Sequence, residues 1–592
     1  MKKIINNFKE KIGMKKRNLP WIFLLVILMA LPTFWRILGA GYFPMHDDLQ
    51  IGRLYQMDLC FRDGQIPCRW VPDMGYGYGY PLFNYYPPLP FYLGEIFHLT
   101  GLSFIVVVKI LFILSLVFSG FFAYLLGKEL WGKYGGFVTA SFYLYAPYHA
   151  VDVYVRGAMN EFYGLVFFPA VFWAVLKIVK EGKKFNSLWL SFLFALLLLS
   201  HNLMAFFTAP LLAIWTLFLI WYFKKSFKVI WQIFFSGLYG VGLAAFFTLP
   251  VFFERKLVSI ETMFMGYFNY LAHFATIKQL FFSRFWGYGA STWGPEDGMP
   301  FPVGQLHWGL GIIAVIVFVY FFFRQRKKSK DNLAFKNMAL VILLFVLFLG
   351  TAFLAHERST FAWKILPVLA SMQFPWRFIA FASFFVSLLA GSFFIFIKNE
   401  KKALFLSLIM IIGVIAFNVN FFKPEKILKT TDIEKLFSAK GWNKLQTDAI
   451  FDYLPKAAKF PPAGPAPYEP FFFRGEGGEI KNFQKGTNWQ TFDVRVDNES
   501  LIRLPLYDFP NWQVLVNGKK TLIENKNELG LITFRLEPGI YKVEARLKNT
   551  PIRTMANLIS FFSWLALFIF LFKKRIIKLF SPKAKISKKK KK

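Results

Sequence analysis

Cysteine, histidine and negative charge are all scarce in this chain of 592 residues. The two cysteines, Cys60 and Cys68, form no zinc-binding pattern. Both fall in one loop, where a disulfide and a pair of isolated thiols are equally open. Acidic residues number 34 against 70 basic ones, a formal net charge of +36. An excess of that size would suit nucleic acid, but its placement excludes that reading. No internal repeat is visible. The long apolar blocks nearly lack charge, with Lys109 the main exception, near one end of its block.

Apolar side chains are what the chain has in abundance: 56% of residues are hydrophobic and 20% aromatic. A soluble protein of this size is far less apolar. The blocks are Trp21–Leu38, Leu102–Leu126, Gly135–Val151, Phe162–Val179, Leu188–Phe223, Val229–Phe253, Leu306–Phe323, Ala339–Leu354, Phe378–Ile397, Ala403–Phe422 and Met555–Phe572. Crossing ~30 Å of hydrocarbon at 1.5 Å per residue takes about 20 residues. Leu188–Phe223 is too long for one span and is interrupted only by Ser200-His201-Asn202, so it reads as two helices joined by a tight turn. About twelve spans result.

The basic clusters Lys2–Arg17, Lys177–Lys184, Lys224–Lys228, Arg324–Lys330, Lys398–Lys402 and Lys573–Lys592 occupy alternate loops. The loops between are neutral or acidic, and Gly41–Gly101 carries six acidic and three basic residues. Positive charge marks the cytoplasmic side. Both termini are therefore expected in the cytoplasm, in agreement with an even number of spans. The expected location is the plasma (inner) membrane, with multiple passes. The Lys588–Lys592 tail reads as a solvated or lipid-surface anchor. The first apolar run, followed by Leu38-Gly39-Ala40, has the outline of a signal peptide. It is longer than the usual apolar core and contains Trp35-Arg36, so an uncleaved first helix is expected.

Five regions follow: a basic cytoplasmic start (1–19), a transmembrane domain (20–422) with outer loops 41–101 and 254–304, an outer domain (423–554), a last span (555–572) and a basic tail (573–592). The outer domain has a proline-rich linker, Pro461–Pro470, and then period-two stretches at Gln490–Val496, Leu501–Leu506, Gln513–Val516, Leu531–Leu536 and Tyr541–Leu547. Alternation of this kind marks half-buried strands. Asn517-Gly518 between two of them signals a hairpin. The whole of 423–554 is expected to be mostly antiparallel strand, as a small β-sandwich.

Candidate chemistry begins at His46-Asp47-Asp48, a few residues after the first helix. Adjacent carboxylates at a membrane surface are costly unless they serve a cation, a proton or a hydroxyl; a helix N-cap is the plainer alternative. Downstream lie Gly75-Tyr76-Gly77-Tyr78-Gly79-Tyr80-Pro81 and Phe83-Asn84-Tyr85-Tyr86-Pro87-Pro88-Leu89. Tyrosines offer an apolar face with a hydroxyl, which suits sugars and membrane interfaces alike.

An Asp pair just after the first helix, followed by Tyr-Tyr-Pro-Pro-Leu entering the second, resembles the GT-C superfamily of membrane glycosyltransferases. Within it the chain is similar to the prokaryotic 6-pyruvoyl-tetrahydropterin synthase-related and YfhO-like membrane proteins, although no residues for pterin chemistry are present. Arg156-Gly157 with Glu161, His201-Asn202, Gln373-Phe374-Pro375-Trp376-Arg377, Pro510-Asn511-Trp512-Gln513-Val514 with Asn517-Gly518, and Pro538-Gly539 extend the resemblance over most of the chain. It implies a GT-C-like helical fold and transfer of a sugar from a polyprenyl-phosphate donor to a glycan or glycolipid acceptor. The implied partners are membrane lipid, that donor and that acceptor, with no nucleic acid.

It also implies that Asp47 or Asp48 is the general base. Magnesium or manganese, held by the same two carboxylates, is open as a cofactor. Arg377, with Arg284 or Arg156, is expected to bind phosphate, because a guanidinium donates in pairs. His46, Glu161, His201, Tyr85 and Tyr86 complete the expected binding set. Plainer roles stand beside these: interface snorkelling for Arg377, an inter-helix hydrogen bond for His201 and a helix cap for Glu161. Asp47 and Asp48 are expected to face one outer cavity with Glu161 and Arg377. The alternatives to a transferase are a non-enzymatic flippase or exporter of lipid-linked saccharide, and an envelope assembly protein.

Overall fold

The computed structural model describes residues 19–294, 296–326, 333–447, 452–475 and 477–580. The basic clusters before residue 19 and after residue 580, and most of Arg324–Lys330, lie outside the described residues.

The chain is an α-helical multi-pass membrane protein with a C-terminal β-domain. Among the described residues, nine helices are long and apolar enough to cross a membrane, against the twelve or so expected. Three features account for the difference. Phe104–Leu144 is one continuous segment that turns back at Gly132, whose φ of 82° is open to glycine alone. Gly120 faces Leu144 and Gly127 faces Thr139, so its two arms run antiparallel. Two of the expected blocks share this hairpin. Lys184–Ser200 has only 17 residues and stops where His201 leaves helical geometry, just before Asn202–Phe223. The third is a pair of helices, Lys228–Leu243 and Ala245–Leu257, bent by 85°.

Met159–Glu181 and Pro375–Phe396 run through the middle of the bundle and are almost wholly buried. They are apolar on every side, as a helix surrounded by other helices must be. Phe168 and Phe172 of the first pack edge-on against Phe384 of the second, with centroids 4.6 and 5.2 Å apart. Lys109 donates to the Gly39 and Gly41 carbonyls (2.5 and 3.1 Å), pinning the end of the first helix.

The β-domain has eight antiparallel strands: β1 Phe471–Arg474, β2 Gly478–Lys485, β3 Trp489–Val496, β4 Ser500–Tyr507, β5 Trp512–Val516, β6 Lys519–Lys520, β7 Leu531–Leu536 and β8 Gly539–Leu547. They form two sheets, β1-β4-β7 and β2-β3-β8-β5-β6. Alternation in β3 puts Phe492, Val494 and Val496 inside. Asn517 and Gly518, both at positive φ, join β5 to β6 as a two-residue hairpin.

Strand begins only at Phe471. The start of the region 423–554, expected to be mostly strand, is instead a strap whose described residues before Phe471 include two short helices, Asp432–Phe437 and Ala439–Thr447. Its sequence has no period-two run, and Thr431 with Glu434 forms a capping box, a helix-start signal. The strap pairs Leu428 with Tyr42, and the Asp432 carboxylate caps Phe104–Leu144 through the Phe104 and Ile105 amides (2.7 and 3.0 Å).

The first outer loop is the platform on which the strap and β-domain rest. Cys60 and Cys68 form a disulfide within it, with Cα atoms 5.6 Å apart. Asp63 accepts from the Thr487 amide, the Thr487 hydroxyl and the Trp489 indole (2.7, 2.6 and 2.9 Å). On the far side, buried Glu254 accepts from Arg553 (2.8 Å), Thr550 (2.5 Å) and Asn84 (3.3 Å). That cluster rivets the loop, the bent helix pair and the last helix together.

Candidate functional site

Charged side chains gather at the end of the bundle that carries the β-domain. The chain makes a π-helical turn at Val151–Arg156 and leaves it through Gly157 at φ 63°. A Cβ at Gly157 would collide with the Met45 sulfur, so this crossing needs glycine. The segment after the first helix lies against the turn: His46 and Asp47 donate their amides to the Val155 and Arg156 carbonyls (3.0 and 2.8 Å).

Four charges meet behind this crossing. Arg156 pairs with Asp152 and with Glu161 (2.7 Å), donates to the Tyr148 hydroxyl (3.2 Å) and lies over the Trp376 ring at 4.4 Å. Glu161, 2% exposed, also accepts from Tyr148 (2.6 Å) and from Arg377 Nε (3.0 Å). Burial and the neighbouring Glu161 push the Asp152 carboxyl well above its ordinary value. Arg377 Nη1 is taken by the Met372 carbonyl and Gln373 Oε1 (2.9 and 3.1 Å). Its Nη2 has no partner among the described residues.

His201 sits beside Glu161 and Arg377 and caps Asn202–Phe223: its Nδ1 accepts the Met204 amide (3.1 Å). That bond puts the ring proton on Nε2. Nε2 also has no partner among the described residues, so two donors are left free next to a rigid ion network.

A second set lies on the first outer loop. Asp47 Oδ2 accepts from Arg53 (2.7 Å) and Gln50 (3.1 Å). Arg53 donates to the Tyr86 hydroxyl (3.0 Å) and covers the Tyr86 ring at 4.3 Å. Tyr86 lies close enough to Asp47, Arg53, Asp452 and Arg377 to feel all four charges, so it stands between the two sets. Burial raises its hydroxyl pKa well above the ordinary value, and the hydroxyl stays protonated.

Several expected roles change. Asp48 turns away from the cluster and pairs with Lys435 of the strap (2.6 Å); burial raises its pKa against that pairing. Asp47 gives its Oδ2 to Arg53 and Gln50, while its Oδ1 has no partner among the described residues. With each carboxylate carrying a cationic side chain, the pair does not fit a divalent cation, and no group of three or more metal-ligating side chains exists among the described residues.

Arg156 spends both terminal nitrogens on Asp152, Glu161 and Tyr148, so it braces the network and is not a free phosphate donor. Arg284 lies elsewhere, donating to the Phe417 carbonyl (2.6 Å) and covering the Phe417 ring at 3.9 Å. Tyr85 is buried, bonds the Glu254 carbonyl (2.8 Å) and stacks on Tyr453, so it serves the fold, while its neighbour Tyr86 faces the charges. His46 Nε2 contacts the Tyr288 carbonyl (2.9 Å), and burial lowers its pKa. Sequence reasoning missed Arg53, Tyr148, Asp152, Lys435 and Asp452. Only Arg53 had a signal: a basic residue on the short helix that follows the Asp pair.

No family model matches the chain. An uncharacterised protein of Lactococcus lactis subsp. cremoris (strain MG1363) is 23% identical over 346 residues, covering 56% of this chain and 54% of that protein. The chain thus spans about half the length of the curated relative it matches. Among solved structures, two cryo-EM structures of the mycobacterial arabinofuranosyltransferase AftD, one of them a mutant, are similar to this chain at 12% identity, with TM-scores of 0.43 and 0.41. Each match covers 70% of this chain, and 28% and 29% of the AftD chains.

Proposed function

We propose that this chain is a membrane glycosyltransferase of the GT-C type, moving a sugar from a polyprenyl-phosphate donor to a cell-envelope acceptor on the outer face. One observation carries the reading. A buried ion network at the end of an apolar bundle holds Arg377 and His201 with free donors, beside a loop that presents Asp47, Arg53 and Tyr86. A departing lipid phosphate needs a fixed cation at the membrane boundary, already oriented before the bond breaks. A guanidinium with one nitrogen anchored on Glu161 and another left open answers that need. Tyr86, which stands between the two sets, can hold a sugar hydroxyl.

The alternation of basic loops supports an outer location for the β-domain and cytoplasmic termini in the plasma membrane. The narrower likeness to YfhO-like proteins belongs to the same proposal.

The test uses full-length protein in lipid nanodiscs, with radiolabelled polyprenyl-phosphate hexoses and an envelope glycolipid extract as acceptor. Label should move to the acceptor. Arg377→Ala should cut kcat/KM by about 10²–10³-fold, the scale of losing one transition-state donor. Absence of transfer from every donor, together with no binding of undecaprenyl phosphate, overturns the reading.

A further inference from the structure

A transferase needs a base, and Asp47 gives one of its two carboxylate oxygens to Arg53 and Gln50. The strap supplies another carboxylate. Next to Asp452, the Tyr453 amide donates to the Tyr80 hydroxyl (2.7 Å), and the Tyr453 ring stacks on Tyr85 (5.5 Å, 22°). One residue on, the Leu454 carbonyl accepts the Ser259 amide (2.9 Å). These contacts hold Asp452 against the Tyr85-Tyr86 segment, within electrostatic reach of Arg53, Asp47 and Tyr86.

The other acids gathered here all have partners. Asp47 is held by Arg53, Asp48 by Lys435, Asp152 by Arg156, and Glu161 by two arginines and a tyrosine. Asp452 makes no hydrogen bond or ion pair among the described residues, and it is partly open to solvent.

Building on the transferase reading, we propose that Asp452 is the general base of the reaction and that Asp47 is a positioning residue, fixing Arg53 between the two carboxylates. The acceptor O–H gives its proton to the Asp452 carboxylate as its oxygen bonds to the sugar C1. The bond from C1 to the phosphate oxygen breaks, and its electron pair leaves with the polyprenyl phosphate, facing Arg377. A single displacement of this kind inverts the anomeric centre.

Burial pushes the Asp452 carboxyl up to about 7, with Arg53 opposing the rise and Asp47 adding to it. A base with a pKa near the working pH combines ionisation with proton affinity. The groups around it are Arg53, Asp47, Tyr80, Tyr86 and Tyr453, and burial raises the hydroxyl pKa of all three tyrosines.

The experiment takes whichever radiolabelled polyprenyl-phosphate hexose the wild-type protein uses in nanodiscs. Asp452→Asn should lower kcat by about 10²–10⁴-fold, with donor KM changed by less than about threefold. The rise of rate with pH near 7 should vanish, added formate should restore part of the rate, and undecaprenyl phosphate should still bind. Full activity in Asp452→Asn overturns the proposal. So does a pH limb that survives there but is lost, and rescued by formate, in Asp47→Asn. Should Asp452→Asn fail to fold, Asp452→Glu decides: a shifted pH limb supports the assignment and an unmoved one overturns it. A wild-type protein that neither transfers sugar nor binds undecaprenyl phosphate refutes the transferase reading itself, and this assignment with it.

Discussion

Glu161 carries more of the site than any other single residue, and replacing it with Gln tests whether the ion network holds this end of the bundle together. The side chain is 2% exposed and receives Arg156 at 2.7 Å, Arg377 at 3.0 Å and Tyr148 at 2.6 Å. Gln keeps the shape, and its oxygen can still face the arginines. What disappears is the negative charge, leaving two buried guanidiniums, of which only Arg156 keeps another carboxylate, Asp152. Removing one member of a buried pair costs about 3–5 kcal/mol, because the survivor stays desolvated without compensation. Unfolding in mixed detergent–SDS micelles, followed by tryptophan fluorescence, should show a loss on that scale. In an Arg377→Met background the same change should cost less, by about 1–3 kcal/mol, the range expected for neighbours sharing a network. Two results would refute the reasoning: Glu161→Gln within about 1 kcal/mol of wild type, the level of an ordinary surface change, or strict additivity with Arg377→Met.

Gly157→Ala should destabilise by about 2–4 kcal/mol, from left-handed backbone strain plus overpacking on Met45, and Met45→Ala should recover part of the loss in the same assay. The Asp452 carboxyl, raised to about 7, binds its proton more tightly in the folded protein than in the unfolded chain. Its contribution to stability is therefore full below about pH 4, the unfolded carboxylate value, and is lost as pH rises to about 7. Asp452→Asn should unfold later than wild type at pH 8, by roughly 2–4 kcal/mol, with the advantage gone at pH 4; equal pH dependence in both proteins would contradict the shift. A cysteine placed at Lys520, in the β5–β6 hairpin, should react with a membrane-impermeant maleimide in intact cells; labelling only after lysis would reverse the topology. Glu254→Gln should make the link between β-domain and bundle sensitive to protease, since it leaves Arg553, 1% exposed, without its carboxylate.

Much of the architecture was legible because membranes impose a coarse rule. Apolar blocks of about 20 residues become helices, and interruptions such as Ser200-His201-Asn202 become breaks. The Asn517-Gly518 hairpin was equally plain, since few dipeptides take positive φ twice in succession. The stretch before Phe471 carries no period-two run, so the strand content of 423–554 is lower than the composition of the whole region suggests. The Thr431–Glu434 capping box was in view and pointed to helix.

The site was legible in its residue types and illegible in its partnerships. Asp47, Glu161, His201 and Arg377 could be picked out as polar groups at helix ends. Nothing in a linear sequence shows that Asp47 meets Arg53, six positions on, or that Arg156 is consumed by Asp152 and Glu161. Those pairings set what each group can do under the proposed reading, because a guanidinium held by two carboxylates is a poor phosphate donor. Tyr85 and Tyr86 show the same limit at one-residue resolution: the first turns inward to Glu254 and the second outward to Arg53. Asp452 is the extreme case. It belongs to no motif and stands in a linker of mixed composition, and its place beside Arg53 depends on Tyr453 stacking on Tyr85, more than three hundred and fifty positions earlier in the chain. The acids easiest to notice were those in an adjacent pair, and each proved to be bonded to a cation. Asp452, isolated in sequence, makes no hydrogen bond or ion pair among the described residues, and that suits it to the proton transfer proposed for it.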